Sequence, residues 1–186
     1  MANIADQLKN ALTSVVEGAG DVVSTTANVA KDVVTGALKA GGDVATGSVE
    51  AVSGVVSEGV SAVKDAGVSL EHGVEGLVSG AVSAAGSVGA NVTQAATHAA
   101  HGAVKGVSEV GGDVGGAAVS AVTGAIHAAG SVGGDSAELA KAAVMGTLKA
   151  ADEIGSDAAS LVRKALLNAV ALPHDVIDAL LTGKTE

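Results

Sequence analysis

An eleven-residue repeat governs what this chain can fold into. From Asn3, sixteen consecutive eleven-residue blocks run to Asp178 without insertion or deletion. With the positions of each block lettered a to k, position i reads Ala11, Val22, Val33, Val44, Val55, Ala66, Leu77, Val88, Ala99, Val110, Ala121, Val132, Ala143, Ile154, Ala165 and Val176. Every one is aliphatic. Eleven residues close about three helical turns, so such a repeat writes a straight stripe along an α-helix.

The charges test that reading. On a helix of this period, positions e, i, b, f, j and c form one arc and g, k, d, h and a the other. Of the 28 charged residues between Asn3 and Asp178, only Glu71 falls outside the second arc. This is the signature of an amphipathic helix. Position g carries Lys9, Lys31, Lys64, Lys141 and Arg163, while h and a carry Asp21, Asp32, Asp43, Asp65, Glu109, Glu153, Asp175, Glu58, Asp113, Asp135 and Asp157. The apolar face available to lipid or to a partner helix runs through Ile4, Leu8, Val22, Val33, Val44, Val55, Leu77, Val88, Val110, Val132, Ile154 and Val176.

A doubled unit of twenty-two residues sits above the eleven. It shows in Gly80-Ala81-Val82, Gly102-Ala103-Val104, Gly124-Ala125-Ile126 and Gly146-Thr147-Leu148, with Gly36-Ala37-Leu38 two units earlier. Repeats of this length mark a solenoid, an array or one long periodic helix. A β-solenoid with a twenty-two-residue rung is the structural rival. It requires period-two alternation, which Asp32-Val33-Val34 and Ser83-Ala84-Ala85-Gly86 lack.

Composition then sets limits. The chain has no Phe, Tyr, Trp or Cys, so Ala and Val must supply most of the apolar surface and no disulfide or cysteine–zinc framework exists. Small side chains bury little area each, which shifts the source of stability to length or association. Each of the 27 glycines costs a helix interior up to about 1 kcal/mol relative to alanine, together on the order of 20 kcal/mol. The expectation is all-α: long amphipathic helices, either one extended surface helix or a chain folded back into a helical bundle, disordered when isolated and helical once its apolar face is covered. Hinges are expected at Gly41-Gly42, Gly111-Gly112, Gly115-Gly116 and Gly133-Gly134, unless the glycines instead let backbones approach closely in a tight bundle.

Two regions are expected. Residues 1–160 form the repeat region, and 161–186 form a Leu/Ile-rich helical segment broken at Pro173, with His174 and Asp175 opening a short last helix. Leu161, Leu166, Val170, Ile177 and Leu180 make this segment the bulkiest apolar stretch, either a capping helix or a surface anchor.

The formal charge of −10 argues against nucleic acid, which needs a basic face. The N-terminal residues show no signal-peptide pattern, and no run approaches the ~18 apolar residues of a transmembrane span. A cytoplasmic location, peripheral to a lipid or granule surface, is expected. His72, His98, His101, His127 and His174 all fall on the polar arc, where solvated histidines are the simpler reading than a metal site. No Ser–His–carboxylate set stands at a telling spacing. Gly111-Gly112 and Gly115-Gly116 lack the strand, helix and lysine of a phosphate loop. The expectation is a non-enzyme with no cofactor, no metal and no small-molecule substrate.

With its eleven-residue period and stretches such as Thr35-Gly-Ala-Leu-Lys-Ala-Gly-Gly-Asp-Val-Ala-Thr-Gly-Ser-Val-Glu50, the chain resembles the synucleins, the repeat region of the long perilipins and, more distantly, the apolipoproteins. The likeness is one of period and composition over nearly the whole length. Val63-Lys-Asp-Ala-Gly-Val68 is the nearest approach to the synuclein hexapeptide, and the acidic charge and heavy glycine depart from both families. The resemblance implies a coat protein that binds a lipid droplet, granule or vesicle reversibly. Each block would contribute a few side chains worth about 1–1.5 kcal/mol each, with avidity along up to roughly 260 Å of helix.

The same stripe would equally pack against copies of itself, building a helical bundle or filament. A third expectation is a desiccation or cold-stress protectant resembling late-embryogenesis-abundant proteins, whose repeats are far more charged. Thr13, Thr35, Thr46 and Thr123 share position k in the manner of alanine-rich antifreeze helices, but charged residues contaminate that face.

Overall fold

The computed structural model describes residues 4–18, 21–40, 47–170 and 172–182. Among them the chain is all-α, with no strand. The helices are α1 (Ile4–Gly18), α2 (Val22–Ala40), α3 (Gly47–Asp65), α4 (Leu70–Ser87), α5 (Val92–Glu109), α6 (Val114–Val132), α7 (Ser136–Ile154), α8 (Ser156–Asn168) and α9 (His174–Thr182). Of the two arrangements expected, the chain takes the folded-back one.

Each reversal has a local chemical cause. Gly67, Gly89, Gly111 and Gly133 recur at twenty-two-residue intervals with φ between 67° and 73°, a left-handed conformation that glycine adopts without steric cost. Behind α4, Gly89 N–H donates to Gly86 O and Ala90 N–H to Ala85 O, at 3.3 and 2.9 Å; Gly67 with Val68 and Gly111 with Gly112 repeat the pattern behind α3 and α5. These paired bonds satisfy carbonyls that the helix end would leave unpaired. Two residues beyond each glycine the next helix is started. Asn91 accepts from Gln94 N–H, Asp113 from Gly115 N–H, and Asp135 from Ala137 and Glu138 N–H. From α3 to α8 no connection exceeds four residues, so one twenty-two-residue unit is one helix plus one turn.

Two of the expected hinges, Gly111-Gly112 and Gly133-Gly134, fall in these turns. Gly115-Gly116 does not: both lie in the first turn of α6, behind the Asp113 cap. Gly41-Gly42 lies outside the described residues. Pro173 separates α8 from α9, which begins at His174, while α8 itself runs unbroken across residue 160.

Each helix touches only its neighbours one and two places along the chain. The odd-numbered helices therefore form one row and the even-numbered helices another, stacked in chain order. Within a row the helices run parallel. A Cβ on Gly102 would meet Ser53 and one on Gly106 would meet Ser57, while Gly76 and Gly80 meet Val23 and Ala27 in the same order. Glycine is what allows the rows to close. At Gly80, Gly102, Gly124 and Gly146 an added Cβ would run into the backbone carbonyls of Ala27, Ser53, Glu75 and Thr97.

Burial follows the eleven-residue period, with its centre at position f. Every described residue at eleven-residue steps from Ala30 to Val162, among them Val52, Val63, Val74, Ala85, Ala96, Val107 and Ala118, is at most 3% exposed. The core is one cluster of Ala, Val and a few Leu that runs the length of the stack. Among the described residues, no helix is long and apolar enough to cross a membrane.

Glycine substitutions separate the roles. Gly102→Ala or Gly146→Ala is expected to destabilise by about 1–3 kcal/mol through overpacking. Gly54→Ala or Gly130→Ala, each with open space around the added Cβ, is expected to stabilise by about 0.5–1 kcal/mol. Denaturant unfolding of the four variants measures this; equal effects at all four would contradict the close-packed rows.

Candidate functional site

Because parallel helices in a row lie side by side in register, polar residues flanking the core line up across them. In the odd row, Thr93 of α5 donates to Glu138 of α7 at 3.0 Å, Ser57 of α3 donates to Glu109 of α5 at 3.3 Å, and Lys64 donates to Val110 O at 2.6 Å. In the even row, Glu75 of α4 and His127 of α6 form an ion pair at 2.8 Å once the histidine is protonated.

The most elaborate cross-helix set is one that spacing could not reveal. Ser53 Oγ on α3 lies 3.1 Å from His101 Nδ1 on α5, and His101 Nε2 lies 3.0 Å from Glu153 Oε2 on α7. A carboxylate only accepts, so Nε2 carries a hydrogen, and in the neutral ring Nδ1 accepts from the serine hydroxyl. His101 holds the Glu153 carboxyl below the usual carboxylate range, first by hydrogen bonding and then by charge, with Lys149 and Lys105 adding to it.

A hydroxyl, an imidazole and a carboxylate in line can deprotonate a nucleophile. Acyl transfer also needs donors aimed at a developing oxyanion and room for the acyl group. Ser53 sits in mid-α3, where its neighbouring N–H groups are committed to helical carbonyls. Gly102 presses against its own carbonyl. The geometry suits a clamp holding three helices in register.

The expected apolar-face residues divide by position in the turn. Leu77 is buried in mid-α4 and Val176 in α9, at 1% and 7% exposure. Val33 and Val55 are half-buried in mid-α2 and mid-α3, and Val22 opens α2 half-buried. Val88 and Val110 cap the C-termini of α4 and α5, and Val132 and Ile154 close α6 and α7. They do not form one continuous surface, because the chain reverses between them. Ile4 and Leu8 belong to α1 with side chains outside the described set, as is Leu180 in α9; Val44 lies outside the described residues. Of the C-terminal anchor, Leu166 and Ile177 are buried in the core, while Leu161 is 54% and Val170 90% exposed.

Among the described residues the exposed large apolar side chains, Met145, Ile154, Leu161, Leu167 and Val170, all belong to the end of the stack formed by α7, α8 and the segment after them. Beside them lies an open cleft of about 510 Å³ lined by Met145, Leu148, Lys149, Asp152 and Glu153. A smaller cleft of about 330 Å³ is lined by Ser69, Leu70, Glu71, Asp113 and Ala117. Among the described residues no three His, Asp or Glu side chains converge to hold a metal ion.

No protein-family model matches this chain, and no curated protein is similar to it in sequence.

The lowered pKa of Glu153 fixes the sign of a pH effect. Its ionised form is favoured by folding, so this contribution is present above the ordinary glutamate value and disappears as pH falls through the depressed one. Glu153→Gln is therefore expected to be less stable than the parent at neutral pH and equally stable in acid below both values, read by thermal unfolding across that range. A deficit that persists unchanged into acid would show that the Glu153–His101 contact contributes nothing through charge.

Proposed function

We propose that this chain is a non-enzymatic structural protein, a prefolded stack of helices that acts by presenting and joining surfaces. One observation carries the reading: the Val/Ala face written by the repeat is already covered within the chain, with its described f positions at most 3% exposed from Ala30 to Val162. A reversible lipid coat, as the resemblance to perilipins and synucleins implies, would use that same face and would require the stack to open. Opening would expose the core cluster from α1 to α9 and give up backbone contacts at Gly102, Gly124 and Gly146. A stress protectant that gains helix only on drying would likewise have to begin unfolded.

The exposed Leu161, Leu167 and Val170 are the residues that support a peripheral anchoring role beside the structural one. They are few, and no aromatic side chain accompanies them.

Far-ultraviolet circular dichroism of the dilute chain, alone and with zwitterionic vesicles or a neutral-lipid emulsion, tests the reading. A helical spectrum without lipid, unchanged when lipid is added, is the expected result. A coil spectrum that becomes helical only with lipid would replace it with the surface-coat reading.

A further inference from the structure

The two ends of the described stack leave complementary helix faces open. Two repeat units separate Ser57, His101 and Met145, and likewise Ser53, Thr97 and Lys141. On α3 and α5 these positions are half-buried because the helix two places on lies over them. On α7 they are exposed, with Met145 at 57%. Among the described residues only the nine-residue α9 follows α7 in that row, and it leaves Met145 and the cleft of about 510 Å³ open. In the even row α8 is the last described helix, and its Leu161 and Leu167 are 54% and 42% exposed.

The opposite end has the matching vacancies. Six repeat units separate Ser14 from Gly146 and Asp6 from Glu138. On α7, Gly146 is the seat against which α5 packs, and Glu138 receives the Thr93 hydroxyl. On α1 the equivalent Ser14 and Asp6 are exposed. Gly36 on α2 makes the same point more sharply. It stands two units before Gly80 and four before Gly124, both pressed against a backbone carbonyl, yet nothing lies within 4 Å of a Cβ built on Gly36.

We propose that these ends join: the α7–α8 end of one copy stacks on the α1–α2 end of the next, continuing both rows across the junction. The occupant is a second copy because the junction reuses the chain's own packing rule, and the charges agree with it. Lys141 and Lys149 flank Met145 on α7, and Lys149 is the repeat equivalent of Lys105, which lies near Glu153. The acidic residue that arrives near them is Asp6: six units before Glu138, it comes opposite Ala137, one turn from Lys141. Serine at position 14 carries a Cβ, as Glu58 does at the same position of α3, so the odd-row joint is wider than those seated on Gly102 and Gly146, and Gly36 supplies the closer approach in the even row. With Met145 open on its outer face, the tail lacks the fully polar face that keeps a terminal repeat from associating. Since head and tail are different surfaces, the contact is heterologous and builds an open filament unless a rotation closes it.

This inference rests on the structural reading above, and the experiment separates the two. Met145→Glu blocks the tail and Gly36→Arg blocks the head; both sites are exposed, so neither substitution disturbs the core. Sedimentation velocity across a concentration series, with circular dichroism on the same samples, is the measurement. The parent is expected to grow past the dimer as concentration rises. Each variant alone should stay helical and monomeric, its association weakened at least about tenfold. An equimolar mixture of the two should stop at a one-to-one dimer, because one intact head and one intact tail remain.

A helical parent that stays monomeric at every concentration would overturn the junction and leave the structural reading intact. So would variants that associate as the parent does, or a mixture that stays monomeric. A parent that is coil when dilute would sink the structural reading itself.

Discussion

The fold depends on the close approach of parallel helix backbones at glycine. In a chain without aromatic residues, alanine and valine cannot fill a wide gap between helices, and a core with gaps loses dispersion contacts on every lining atom. Removing the Cβ at Gly80, Gly102, Gly124 and Gly146 brings backbone against backbone, so that small side chains beside them suffice to fill the remainder. Glycine in mid-helix costs up to about 1 kcal/mol each in lost chain entropy. Seen on an isolated helix, that total looks prohibitive. In the stack, Gly80, Gly102, Gly124 and Gly146 offset it by pressing against a neighbour's carbonyl, whereas Gly36, Gly54 and Gly130 carry it with nothing within 4 Å.

Much of this was legible in the sequence, and the parts that were not have physical reasons. The eleven-residue period located the buried face, because a helix of eighteen or nineteen residues plus a short turn spans two blocks and returns the same letters to the core. Position i is aliphatic in every block. Its members satisfy two different demands: Leu77, Ala99, Ala121 and Ala143 sit in the core, whereas Val88, Val110 and Val132 sit at helix ends beside the left-handed glycine. The reversals were read from doubled glycines, which found Gly111 and Gly133, missed Gly67 and Gly89, and mistook Gly115-Gly116. What marks a reversal is a glycine with a capping residue two places on, as in Gly89-Ala90-Asn91 and Gly67-Val68-Ser69. The Ser53–His101–Glu153 set was invisible because its spacing combines two repeat units with the register between parallel helices, a quantity that no single helix encodes.

Stacking by neighbours alone makes the molecule nearly one-dimensional, and its ends are where the rule changes. The glycine seat recurs every unit from Gly80 to Gly146 and then lapses: one unit on stands Asn168, the last residue of α8. That helix has 13 residues against the 18 or 19 of its predecessors from α2 to α7. α8, α9 and the segment between them bring the bulkier Leu166, Ile177 and Leu172 into the core, filling with side-chain volume what the earlier joints fill with backbone. The C-terminal segment thus differs in composition because it packs by a different means.

A repeat this regular raises a problem of register, and the polar arc answers it. If every core position is alanine or valine, sliding one helix past its neighbour by a turn exchanges similar side chains and costs little hydrophobic energy. Glycine seats restrict the choice but recur, since Gly102 and Gly106 both offer close approach to α3. The cross-row pairs are not interchangeable. A slip of one turn would take His101 away from both Ser53 and Glu153, and Glu75 away from His127, leaving partly buried polar groups without partners. Each exposed pair adds little stability alone. Its larger effect is to separate the native register from the near-degenerate ones, which is how a low-complexity sequence specifies a single structure.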